Sequence, residues 1–99
     1  MEYQTINPAT GKLVKTFESA NDHEIADIIA TAQSAFELDW RHRSVADRAR
    51  VIAKAASILR DKAEEYAQII TLEMGKRIAE ARAEVKLSAN ILDYYAQRA

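Results

Sequence analysis

With 99 residues, 14 basic side chains against 15 acidic ones and a net charge of −1, the chain is at most one domain and has no charge excess to draw it to nucleic acid or an anionic membrane. It has no cysteine, which excludes disulfides, thiolate metal sites and a thiol nucleophile within these residues. The sequence shows neither a basic-then-apolar leader nor an apolar run long enough for a bilayer, so the expected location is the cytoplasm.

In chain order, "YQTINPATGKLVKTF" places two strand-like runs, Tyr3 to Ile6 and Leu13 to Phe17, on either side of a turn. Asn7-Pro8 opens that turn and Gly11 can take a positive φ, so residues 1–18 are expected to form a β-hairpin. Asn21 followed by Glu24 is a capping box that starts a helix over 21–40. Ile25, Ile28, Ile29, Ala32, Ala35 and Phe36 form its apolar face.

Ser44 with Asp47 signals a second helix start. From Val45 through Ala49, Ile52, Ala56, Leu59, Ala63, Tyr66, Ile70 and Met74 the apolar positions step by three or four. That spacing predicts one helix over 44–74, about 45 Å long at 1.5 Å per residue. A third periodic stretch over 77–99 carries Ile78, Ala81, Val85, Ser88 or Ala89, Leu92 and Tyr95. The expected class is therefore mainly α, a hairpin followed by three amphipathic helices. The long helix, the isolated hairpin and the last stretch, still in helical register at Ala99, favour a part of a larger protein.

No motif within these residues is a self-contained active site. Gly75-Lys76 superficially suggests a phosphate loop, but Ile70 stands where the first glycine of G-x-x-x-x-G-K-[ST] belongs and Arg77 stands where the hydroxyl belongs. Gly75 is better read as the residue that ends a helix in the left-handed conformation. Arg41, Arg43, Arg48 and Arg50 are interrupted by Asp47 and lack stacking aromatics, so a solvated helix corner explains them better than nucleic acid. His23 and His42 have no partner at metal-ligand spacing, and Glu80 and Glu84 read as helical surface charges.

Four segments do carry a resemblance: "NPATGKLV" (7–14), "AFELDWRHRSVADRARVIAKAASIL" (35–59), "LEMGKRIAEARAEV" (72–85) and "YYA" (94–96). In order and spacing they resemble the amino-terminal region of the aldehyde dehydrogenase superfamily, and "EMGK" with "EARAEVKLSANILDYYA" most resembles its succinate-semialdehyde dehydrogenase branch. The resemblance implies a piece of an α/β fold, the amino-terminal part of a larger cofactor-binding domain. It also implies a parent enzyme that oxidises an aldehyde, such as succinate semialdehyde, to the acid with NAD or NADP, through a cysteine thiolate and a glutamate.

Those catalytic groups and the dinucleotide site fall beyond the matched region, so no catalytic or cofactor-binding residue is expected here. The resemblance further implies main-chain ligands to a monovalent cation, with Thr5 or Ile6 and Glu73 as candidates. The expected partners are the rest of the parent enzyme and, through exposed apolar helix faces, other copies of the chain. The competing expectation is a stand-alone helical interaction module without enzymatic activity.

Overall fold

Small side chains decide how the helices meet. The computed structural model describes residues 2–99; Met1, the first residue of the expected hairpin segment, lies outside the described residues. Strands β1 (Tyr3–Ile6) and β2 (Leu13–Phe17) form the expected antiparallel hairpin. Thr5 pairs with Lys15 and Ile6 with Leu13, so the register slips by one residue beside Thr5, as at a β-bulge. The connecting loop is held by Asn7, whose N–H donates to the Lys12 carbonyl and whose own carbonyl accepts from Thr10 and Gly11. The Asn7 side chain also accepts from the Ala9 N–H, and Gly11 takes a φ of 68°.

Helix α1 (Asp22–Leu38) starts at the expected capping box: Asn21 accepts from the Glu24 N–H, and the Glu24 carboxylate accepts from the Asn21 N–H. It ends two residues earlier than expected, and Trp40–His42 form a single 3-10 turn instead. Asp39 then grips Arg43 through two hydrogen bonds of 2.8 and 2.9 Å, and the Arg43 guanidinium lies over the Trp40 ring.

The single helix expected over 44–74 is two. Helix α2 (Val45–Asp61) begins at Ser44, whose hydroxyl accepts from the Asp47 N–H, and helix α3 (Ala63–Met74) ends at Gly75 with φ 70°. Between them Lys62 sits at φ −108° and ψ 22°. Neither glycine nor proline stands at this break, and both halves pack on helix α4 (Ile78–Arg98).

A straight helix over 44–74 would reach about 45 Å, while the 21 residues of α4 reach about 31 Å at the same rise. Divided at Lys62, both halves lie along α4. Arg60 of α2 reaches Asp93 at 2.5 Å and Asn90 at 3.1 Å, while Glu64 of α3 reaches Arg82. The apolar period runs unbroken through the bend because both halves turn the same face to the same partner.

The buried residues are Ala56, Ala67, Ala81, Val85 and Ala89. Alanine lets helix axes approach closely, and Ala63, Tyr66, Ile70 and Ile78 close around the Ala67, Ala81 and Val85 cluster. No described side chain larger than valine is fully buried. The consequence is a plate of 48 × 38 × 15 Å with a radius of gyration of 17.5 Å. A self-sufficient domain of this length would have about 13 Å.

Helix α1 packs chiefly on the turn that follows it: Ile28 is 63% exposed, Ile29 64% and Leu38 81%. The outer face of α2 is likewise open, a groove where Val51, Ala55 and Ile58 lie among Arg43, Arg50 and Lys54. No described helix is long and apolar enough to cross a membrane.

Candidate functional site

Chemistry-bearing residues distant in sequence meet at the corner between α3 and α4. The end of β1 reaches the last turn of α3, where the Thr5 hydroxyl donates to the Glu73 carboxylate at 3.0 Å. One residue on, Ile6 is the last of the strand. Two of the three candidates from the sequence, Thr5 and Glu73, therefore meet although 68 positions separate them, and Ile6 is the strand neighbour of Thr5. Glu73 lies in the terminal turn of α3, where helix carbonyls lack an intrahelical N–H partner and the helix dipole is negative. Oxygen donors at the negative end of a helix suit a hard cation. Among the described residues no three His, Cys, Asp or Glu side chains gather as a metal centre.

The corner itself is electrostatically closed. Gly75 donates its N–H to the Thr71 carbonyl and turns the chain, so α4 starts after Lys76 and Arg77. The Lys76 ammonium is held by Glu84 at 2.7 Å, and that hydrogen bond is the largest of the influences that raise its pKa. A lysine so engaged is not poised for phosphate. At the other end of α3, Arg82 forms a two-pronged contact with Glu64 at 2.8 and 2.9 Å, and Gln68 adds a third hydrogen bond. Hydrogen bonds from Arg82 first and Gln68 second lower the Glu64 pKa to about 2 from an ordinary 4.5.

A dinucleotide does not fit these residues. Its pyrophosphate needs a glycine-rich turn between a strand and a helix N-terminus, but the two glycines lie in a hairpin loop and between two helices. The sequence also holds no cysteine to serve as a thiolate nucleophile. Arg50 pairs with Asp47, and His23 with Asp27 at 3.1 Å, both on the surface.

The aldehyde dehydrogenase family model matches residues 1–99, the whole chain. The chain belongs to the aldehyde dehydrogenase family. A succinate-semialdehyde dehydrogenase [NADP(+)] of Deinococcus radiodurans is 42% identical over 96 residues, covering 97% of this chain and 20% of its own length. The corresponding Mycobacterium bovis protein, succinate-semialdehyde dehydrogenase [NADP(+)] 1, is 46% identical over 99 residues, covering 100% and 21%.

Among solved structures, the succinic semialdehyde dehydrogenase of Streptococcus pyogenes in complex with NADP+ superposes with a TM-score of 0.90 at 38% identity, over 97% of this chain and 21% of that one. The chain thus spans about a fifth of the aldehyde dehydrogenases it matches. Hairpin and helices together are a piece of the aldehyde dehydrogenase fold, as the resemblance implied. What the sequence did not reveal is the seating of the hairpin on α3: Thr5 and Glu73 entered through family likeness, and no pattern in the residues pairs them.

The Glu64 pair gives a titration with a fixed sign. A carboxylate with a depressed folded pKa contributes stability that is present above its unfolded pKa and lost as pH falls through the folded value. The α3–α4 tie should therefore be complete above about pH 4.5 and fade toward about pH 2. Carbon NMR of the Glu64 carboxyl should give a midpoint near about 2, moving toward 4.5 in Arg82→Met. An unmoved midpoint in that variant would remove Arg82 as the cause.

Proposed function

We propose that the chain is the amino-terminal part of the cofactor-binding domain of an NAD(P)-dependent aldehyde dehydrogenase, one that oxidises an aldehyde such as succinate semialdehyde to the acid. The observation that carries this reading is the mismatch between apolar surface and cover. Ile25, Ile28, Ile29 and Phe36 on α1, and Leu87, Ile91, Tyr94 and Tyr95 on α4, are all exposed. Apolar faces at helical spacing are the mark of helices that pack on further structure. Family members about five times this length supply such structure. The names of the Deinococcus and Mycobacterium relatives favour NADP and succinate semialdehyde.

On this reading the chain contributes framework and the rest of the parent contributes chemistry. The thiolate, the activating glutamate and the dinucleotide site belong to the remainder, which is the chain's principal partner. Separated from it, the chain self-associates through the faces the parent would cover. A stand-alone interaction module fits less well, because the open faces extend over α1, α2 and α4 rather than forming one bounded patch.

The same reading assigns Thr5 or Ile6 and Glu73 a main-chain role toward a monovalent cation, which would tie β1 to the negative end of α3. The Thr5–Glu73 hydrogen bond supports it by bringing the two segments into register. A bound cation supplies charge compensation at that joint and takes no part in hydride transfer.

A chimera tests the enzymatic reading. When this chain replaces the matching fifth of the Deinococcus enzyme, the product should reduce NADP with succinate semialdehyde, while the chain alone should show no turnover with any aldehyde. A folded but inactive chimera, or turnover by the chain alone, would contradict the assignment. The cation reading has its own readout: sodium or potassium chloride should raise the chimera's thermal midpoint above that in choline chloride of equal ionic strength, where screening is matched. Identical midpoints in the three salts would refute the cation role.

A further inference from the structure

The two glycines of the chain sit in similar backbone and do different things. Gly11 takes φ 68° with open space around it, so its freedom of conformation alone accounts for its place. Gly75 takes φ 70°, but a Cβ added there would stand 3.0 Å from Pro8 Cγ and 3.5 Å from Pro8 Cβ. The Pro8 ring therefore lies flush on the backbone of Gly75, in the space a side chain would occupy.

This contact adds to another between hairpin and corner. Thr5 meets Glu73, and three residues later Pro8 meets Gly75, two residues beyond Glu73. Asn7, between them, is fixed through its N–H, its carbonyl and its side chain. Two attachment points joined by a rigid residue define an orientation, where one hydrogen bond between exposed groups would leave a hinge. The ring also brings no N–H that would need a partner at the joint.

We propose that Pro8 and Gly75 form a keyed joint that seats the hairpin on the C-terminal end of α3, and that they are positioning residues for the oxygen donors of Thr5, Ile6 and Glu73. The second half of this proposal rests on the cation reading above; the first half does not.

The joint can be tested apart from the helix end. Asparagine tolerates the left-handed conformation, so Gly75→Asn keeps the α3 terminus while its Cβ presses on the Pro8 ring, which must give way. Pro8→Ala removes Cγ and leaves Cβ at 3.5 Å, an ordinary contact. The chain has no cysteine, so spin labels at Lys15→Cys on β2 and Lys86→Cys on α4 can report their separation by pulsed EPR without further changes.

The labelled parent should give one narrow distance distribution. Gly75→Asn should broaden or shift it, Gly75→Asn with Pro8→Ala should restore it, and Pro8→Gly alone should broaden it, with α3 carbon shifts helical throughout. A broad distribution in the parent, an unchanged one in Gly75→Asn or Pro8→Gly, or no restoration in the double variant would overturn the joint. Stabilisation by sodium over choline should be lost in Gly75→Asn and return in the double variant. If distances follow the prediction while none of the proteins responds to sodium, the joint stands and the positioning role toward a cation is overturned.

Discussion

The seam of Ala81, Val85 and Ala89 along α4 is the constraint on which the rest of the structure depends. Because these side chains are small, α4 can lie close to both α2 and α3, which answer with Ala56 and Ala67. That proximity runs across the break at Lys62, since α2 and α3 both pack on α4. It also brings the charged residues of the helix edges within reach, so that Arg60 finds Asp93 and Arg82 finds Glu64 across the interface. These pairs are largely solvated, and exposed ion pairs are worth about 0–1 kcal/mol each. They set orientation, and the alanine seam sets distance.

A seam of small residues has a cost in stability. Burying a methyl-sized group gains about 0.8 kcal/mol, whereas ordering each backbone residue costs about 1–2 kcal/mol. Ordinary domains offset that cost with large buried side chains, and here many of the large ones, from Ile25 on α1 to Tyr95 on α4, are exposed and the rest only partly covered. A flat plate with its apolar residues outward is the shape of an interior layer awaiting its neighbours. Membership of the aldehyde dehydrogenase family, whose matched members are about five times longer, gives that shape a physical reason.

What was legible in the sequence was what is local. The strand limits, the Asn21–Glu24 capping box, the Ser44 cap and the left-handed Gly75 all follow from residues a few positions apart, and the structure has each of them. The Lys62 break escaped because neither glycine nor proline stands there, and the apolar period carries no mark of it. Ala67 escaped too: the stepping pattern favoured Met74, which is 77% exposed, because periodicity locates a face without saying where along it the neighbour lies. At the candidate site, Thr5, Ile6 and Glu73 were reached through family likeness, and Pro8 on Gly75 was not reached at all. A contact spanning 67 positions leaves no trace in the spacing of either segment.

The central claim is that the outward apolar faces of α1, α2 and α4 belong beneath other protein surface. Sedimentation velocity on the isolated chain over a wide concentration range tests it most directly, because uncovered faces associate by mass action. The account predicts a weight-average mass that climbs above the monomer value as concentration rises. A single monodisperse monomer at high concentration would show that the chain is content with the surface it has, and would contradict it.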